Sequence, residues 1–241
     1  MEPRETTAAA HRRPAARRTS RESLRRPALR ILPPREIDPA DLKNPALYVN
    51  RELSWLEFNE RVLAQARDTS HPLLERVKFL AITGNNLDEF FMIRVSTTQK
   101  KLLEGIEDIA PDGYNTEQQY DAMRLGALRM LQSQAALWAE LRPLLAAERI
   151  VFLELDQWTP EIREHMTAYF AREICPVLTP LAFDPGHPFP QISNLSKNFA
   201  VVVRHANRTK FARVKVPDVL PRFVQLPDTL TPDGGVAFVF L

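Results

Sequence analysis

The sequence has little cysteine, little glycine and no long apolar run. Its 241 residues include one cysteine, Cys175, and seven glycines. A single cysteine excludes an internal disulfide and is typical of a reducing compartment. Because Cys175 stands among apolar residues before Pro176, we expect it to be a buried structural thiol. No run of about 18 apolar residues occurs, so the sequence predicts a cytoplasmic protein without a membrane-spanning segment.

The common catalytic signatures are also missing. The sequence contains no GxxxxGK[ST], GxGxxG, GxSxG or HExxH motif. None of its histidines has a cysteine or second histidine at a metal-ligand spacing. We expect His165 at a solvated helix position, and His187 in a loop where ligand contact is the alternative. No catalytic or metal site is therefore predicted, although the chain contains His11, His71, His165, His187 and His205.

Positive charge is concentrated at the N-terminus, although the net charge of the whole chain is only +2. Residues 1–36 carry ten arginines among prolines and alanines, with few large apolar side chains. Such a segment buries too little apolar surface to offset the entropy lost on ordering. We predict a disordered basic tail over residues 1–45. The alternatives are weak attraction to a polyanion and a transit peptide.

Helical patterns begin after residue 48. Ser54 and Glu57 form a capping-box pattern that predicts a helix start. The spacing of Trp55, Phe58, Val62 and Ala66 predicts the buried face of that helix. A second helix is predicted over residues 73–82, and a long one from residues 116–119 to a break or kink at Pro143. Residues 48–149 therefore indicate a bundle of about four helices.

A polar segment, Gly84-Asn85-Asn86, separates two apolar helical patterns. We expect Gly84 to end the second helix and Asn86 to cap a third that runs to about residue 103. An amide side chain both donates and accepts hydrogen bonds, which suits the edge of a nucleobase. Capping and ligand contact are both compatible with Asn86. Arg94, further along, faces either an anion or a solvated salt-bridge partner.

The pattern changes near Ile150 to short strands. We predict strands at residues 150–155 and 236–241, a hairpin of residues 199–203 and 211–216, and a helix beginning at Thr159-Pro160. Residues 217–227 show no regular pattern. The fold class is therefore α+β, with an N-terminal helical bundle domain and an incomplete α/β head domain. The apolar strand at the end of the chain suggests that this second domain is truncated.

Several long segments resemble the N-terminal part of bacterial ATP-dependent polyphosphate kinases. The segments are YVNRELSWLEFNERVL, PLLERVKFL, NNLDEFFMIRV, PLAFDPGHPFPQISNLSKNFAVVV and VPDVLPRFVQLP. The resemblance covers about residues 46–241. It implies that residues 46–149 are the family's N-terminal helical domain and residues 150–241 a truncated head domain. The asparagine that contacts ATP in the family corresponds to the second Asn of NNLDEF, which is Asn86.

The resemblance also implies a function. Enzymes of this family transfer the γ-phosphate of ATP reversibly to polyphosphate through a phosphohistidine. The family's histidine and Mg²⁺ ligands lie in C-terminal domains that are absent here. We expect this piece to be inactive alone, but to supply adenine binding at Asn86 and a surface for homo-oligomers.

The expected partners are ATP and polyphosphate, without nucleic acid. The intact enzyme is expected in the cytoplasm or at the periphery of the inner membrane. The alternative is a non-catalytic helical scaffold or nucleotide-sensing module.

Overall fold

The computed structural model describes Asp38 and residues 40–183, 191–205, 208–231 and 234–241. The predicted disordered tail lies largely outside these residues, and so do His11, His187 and the side chain of His205. The predictions for them stay untested. In the described part, no helix is both long and apolar enough to cross a membrane.

Helix α1 spans Arg51–Arg67 and begins earlier than the sequence predicted. Asn50 is the capping residue, and its Oδ1 accepts hydrogen bonds of 3.0 Å from the backbone N–H groups of Glu52 and Leu53. The prediction that Ser54 is the cap is therefore wrong. The predicted buried face is wrong at Phe58, which is 49% exposed, whereas Ala66 is buried as predicted and Trp55 and Val62 are half-buried. The buried residues of α1 are Glu52, Leu56, Asn59, Leu63 and Ala66.

Helix α2 spans Leu73–Glu89 and runs through the predicted turn without a break. The prediction that Gly84 ends a helix and Asn86 caps the next is therefore wrong. A glycine in a helix interior costs about 1 kcal/mol relative to alanine. Burial of Thr83 and Leu87, one on each side of the glycine, offsets that cost.

A π-helical segment, Phe90–Val95, connects α2 to helix α3, Ser96–Leu103. In an α-helix, residues five apart point in directions about 140° apart. The wider π-helix brings Phe90 and Val95 to the same side, and both are buried. The Trp55 ring of α1 stacks on Phe90 with a centroid distance of 4.8 Å. The π-helical segment therefore keeps the apolar face of this helical run turned toward α1.

Helix α4 spans Thr116–Ala147 and completes the bundle. Its start was predicted correctly, with Asn115 and Gln118 forming a reciprocal capping box. The helix continues through Pro143 instead of ending there. The described N-terminal part therefore contains about four helices as predicted, α1 to α4, with α2 and α3 joined by the π-helical segment into one continuous run. Buried residues shared among these helices include Leu56, Leu63, Ala66, Leu87, Phe90, Met123, Ala127, Met130, Leu137 and Leu141.

The second part of the chain is mixed α and β, which confirms the predicted fold class. After strand β1, Ile150–Leu153, come helix α5, Pro160–Tyr169, and a π-helical segment, Phe170–Ile174. Thr159 caps α5 as predicted, since its Oγ1 accepts from the N–H of Ile162 at 3.3 Å. The remaining strands are β2 Pro180–Phe183, β3 Lys197–His205, β4 Arg208–Val216, β5 Phe223–Gln225 and β6 Val236–Phe240.

The described strands form two three-stranded sheets, ordered β1-β6-β5 and β2-β4-β3. β1 pairs parallel with β6, and β5 pairs antiparallel with β6. β3 and β4 form the predicted hairpin, whereas β2 and β5 were missed because both are short and follow prolines or irregular sequence. Helix α5 packs on the first sheet through a core of Leu153, Ile162, Met166, Val224, Leu226, Ala237 and Val239.

The prediction that Cys175 is a buried structural thiol is wrong, because the residue is exposed. It begins a 3-10 turn, Cys175–Val177, directly after the π-helical segment. Its neighbour Ile174 occupies the buried position at this end of the segment. The apolar residues around Cys175 in the sequence therefore do not enclose its thiol.

Candidate functional site

Asn86 lies on the side of α2, where that helix faces α1. Its side chain is half-buried. Its Nδ2 donates a hydrogen bond of 2.9 Å to Oδ1 of Asn59. The backbone carbonyl of Asn86 accepts from the N–H of Phe90, as in a continuing helix. The side chain is therefore held by a neighbouring helix and does not cap a helix start.

Asn59, the partner of Asn86, is fully buried on α1. Its Nδ2 donates to the backbone oxygen of Thr83 at 3.1 Å and to the sulfur of Met130 at 2.9 Å. One side chain thus joins α1, α2 and α4. The sequence analysis did not single out Asn59. The available signal was a polar residue at helical spacing between Leu56 and Leu63, where an apolar side chain is expected.

The surface beside Asn86 is partly apolar. Ile82, one turn earlier on the same face of α2, is 37% exposed. Asn85 points away from the bundle and is exposed. Within the described residues, Oδ1 of Asn86 accepts no hydrogen bond from the protein. Asn86 therefore combines a fixed amide with a free acceptor beside an apolar side chain.

Arg94 forms a salt bridge with a buried carboxylate. Its Nη1 lies 2.8 Å from Oε2 of Glu52, whose side chain is 5% exposed. Arg51 binds the other carboxylate oxygen at 2.7 Å. The Arg94 guanidinium also lies 5.9 Å from the Trp55 ring centroid. The salt-bridge interpretation of Arg94 is thus confirmed, but the pair is partly buried rather than solvated.

Two of the cavities lined by the described residues lie away from Asn86. One of about 330 Å³ is lined by Arg94 and its neighbours Arg51, Glu52, Ile93, Thr97, Thr98, Lys101 and Gln119. A larger one of about 610 Å³ lies between α5 and β3, among mostly apolar side chains with Arg163, Lys197 and Arg222. Asn86 lines neither cavity. It therefore presents its amide on an open helix face.

The histidines show no metal-binding arrangement in the described part of the chain. Nε2 of His71 lies 3.2 Å from Oε1 of Gln65. His165 is half-buried on α5, and so is less solvated than expected. Within the described residues, no three His, Cys, Asp or Glu side chains gather closely enough to hold a metal ion. These residues therefore give no basis for a step that involves Mg²⁺.

Comparison with known proteins gives consistent matches. Residues 48–153 match the family described as "Polyphosphate kinase N-terminal domain", and residues 161–241 match "Polyphosphate kinase middle domain". The chain is 48% identical over 202 residues to a polyphosphate kinase of Thermosynechococcus vestitus, covering 83% of this chain and 28% of that protein. It is 49% identical over 192 residues to polyphosphate kinase 1 of Chlorobaculum tepidum, covering 78% of this chain and 27% of that protein.

A solved structure agrees with these matches. The crystal structure of polyphosphate kinase from Porphyromonas gingivalis superposes with a TM-score of 0.64 at 29% identity. The superposition covers 80% of this chain and 28% of that chain. The chain therefore spans little more than a quarter of the length of the relatives it matches.

Proposed function

Because the chain belongs to the polyphosphate kinase family, we propose that it supplies part of the adenine site of an ATP:polyphosphate phosphotransferase. Asn86 contacts the nucleotide in this proposal. The intact protein transfers the γ-phosphate of ATP reversibly to polyphosphate through a phosphohistidine. ATP and polyphosphate are its substrates.

The observation that carries the proposal is the hydrogen-bonded amide of Asn86. This residue occupies the position of the family's ATP-contacting asparagine, in the segment NNLDEF. Asn59 holds its Nδ2 at 2.9 Å, while its Oδ1 accepts no hydrogen bond within the described residues. An amide already held in one orientation can hydrogen-bond to the edge of a nucleobase without losing further rotamer freedom, which lowers the entropic cost of binding. Ile82 adds an apolar surface beside it.

The site at Asn86 is partial in this proposal. Phosphoryl transfer needs cations and metal around the transferring group. Two arginines of the helical part, Arg51 and Arg94, are paired with the buried Glu52. We assign phosphoryl transfer and Mg²⁺ binding to the family's C-terminal domains, and none of the five histidines of this chain receives the catalytic role.

We also propose that the part containing β2, β3 and β4 contributes to a homo-oligomer of the intact enzyme. Strand β3 exposes large apolar side chains on one face of its sheet, with Phe199 61% and Val203 48% exposed. Apolar side chains exposed together on one strand are typical of a surface that packs against a partner. Size-exclusion chromatography with light scattering tests this. Loss of the oligomer in Val203→Glu of the intact enzyme supports the proposal, and an unchanged mass contradicts it.

The test of nucleotide contact uses Asn86→Ala in an intact enzyme that carries this segment. We expect the KM for ATP to rise about tenfold, the factor for loss of one good hydrogen bond together with its positioning. Asn85→Ala is the matched control, because Asn85 is exposed and adjacent. Unchanged ATP dependence in Asn86→Ala would contradict the assignment. Robust polyphosphate synthesis by the 241-residue chain alone would contradict the assignment of catalysis to other domains.

A further inference from the structure

We propose that Asn59 is a positioning residue that fixes the amide of Asn86 with its carbonyl oxygen outward. The site then accepts a hydrogen bond from the ligand, and so selects a base that carries an amino group at this edge. This inference rests on the proposed function, since it concerns the same nucleotide contact. It adds the residue that sets the polarity of the contact.

The orientation of Asn59 follows from its partners. The backbone oxygen of Thr83 only accepts hydrogen bonds, so the group 3.1 Å from it must be the Nδ2 of Asn59. Asn59 is fully buried, so water cannot satisfy its amide in the reverse orientation. A rotated amide would place its Oδ1 against the Thr83 oxygen and the Met130 sulfur, so that three acceptors would meet with no donor among them. Such unpaired buried groups are costly, and one orientation is therefore fixed.

The orientation of Asn86 follows in turn. With Oδ1 of Asn59 facing α2, the atom of Asn86 at 2.9 Å must be a donor, its Nδ2. Rotation of the Asn86 amide would again bring two oxygens together. The Oδ1 of Asn86 is therefore directed away from Asn59. The Thr83 carbonyl therefore fixes the orientation of the Asn59 amide, and Asn59 fixes that of Asn86, whose oxygen faces the ligand.

An outward acceptor discriminates between purines. Adenine carries a 6-amino group, which donates hydrogen bonds, whereas hypoxanthine carries a 6-oxo group, which accepts them. A protein acceptor facing a ligand acceptor leaves both groups unpaired and rejects that ligand. At this half-buried position we expect ATP to bind about tenfold more tightly than inosine triphosphate. The two nucleotides present opposite polarities at this one atom of the base edge.

The first experiment measures the affinity ratio of ATP to inosine triphosphate by NMR titration of the chain. In Asn59→Ala the amide of Asn86 is free to rotate and can present either group, so the ratio should fall to about one. Leu63→Ala is the matched control for lost stability, because Leu63 is fully buried one turn further along α1. Leu63→Ala should keep the ratio of ATP to inosine triphosphate affinity that the wild-type chain shows. A folded Asn59→Ala chain that also keeps this ratio would overturn the proposal.

The second experiment needs no variant and no nucleotide. NMR hydrogen exchange of the side-chain amides compares Asn86 with the exposed Asn85. The bonded Nδ2 hydrogen of Asn86 should exchange about fivefold more slowly. Equal rates would overturn the proposed orientation, even if Asn59→Ala does not fold. If the unchanged chain binds neither nucleotide, the proposed function is contradicted, while hydrogen exchange still decides the orientation.

Discussion

Replacement of Gly84 by alanine tests the continuous helix on which the candidate site is built. Gly84 lies inside α2, and a Cβ added to it meets no atom within 4 Å. The substitution therefore introduces no clash. Alanine in a helix interior is more stable than glycine by about 1 kcal/mol. We expect Gly84→Ala to raise the free energy of unfolding by about that amount.

Gly105 provides a matched control, because a Cβ added to it also meets open space. Its φ of +67° is left-handed, however. It ends α3 in a Schellman motif, with the N–H of Ile106 bonded to the oxygen of Lys101 at 2.9 Å. An alanine there costs about 1 kcal/mol because its Cβ approaches the backbone in this conformation. The two glycine substitutions should therefore have opposite signs.

Urea denaturation followed by far-UV circular dichroism measures both effects. With a slope of about 2 kcal/mol per molar urea, each variant should shift the midpoint by about 0.5 M. Gly84→Ala should move it upward and Gly105→Ala downward. A downward shift in both would mean that Gly84 adopts a left-handed conformation. The continuous α2 and the side-chain position of Asn86 would then be wrong.

Two further predictions concern the start of α1 and the buried salt bridge. Asn50→Ala should lower the free energy of unfolding by about 1 kcal/mol, because Asn50 caps the helix. Ser54→Ala should lower it by less than about 0.5 kcal/mol, because Ser54 does not cap the helix. Thermal denaturation measures both changes, and equal effects would contradict the assigned cap. Arg94→Met should cost about 2 kcal/mol, because it removes one of the two arginines paired with the buried Glu52 carboxylate, whereas Arg67→Met in an exposed pair should cost less than about 0.5 kcal/mol. Adding Glu52→Gln to Arg94→Met should recover part of the loss, and no recovery would exclude the weakened pairing of the Glu52 charge as its cause.

The sequence predicted the fold class and most elements, but it predicted a turn and a helix cap around Asn86 where helix α2 continues. Local composition around Gly84 and Asn86 is the same for a helix cap and for a helix that continues. Whether the helix ends or continues depends on Thr83 and Leu87, which become buried only when α1 and α4 pack against α2. Tertiary burial therefore overrides the turn signal of the glycine and asparagines. A single sequence does not display that packing.

Asn59 was missed for a related reason. Its position at helical spacing from Leu56 and Leu63 favours a core residue, and its polarity argues against one. The conflict is resolved by hydrogen bonds to Thr83 and Asn86, which lie 24 and 27 residues away in the sequence. Such long-range partners are not visible in a local pattern. The function of Asn86, by contrast, was inferred from resemblance in NNLDEF and remains a prediction.

Titration of the ¹⁵N-labelled chain with ATP, followed by NMR, tests the central claim most directly. We predict that the side-chain amide signals of Asn86 and Asn59 shift with ATP. The Asn59 shift should persist in Asn85→Ala and be lost in Asn86→Ala, in which the side-chain amide of residue 86 is absent. Shifts confined to residues outside α1 and α2, or shifts of equal size in Asn86→Ala, would contradict the claim that this amide holds the nucleotide.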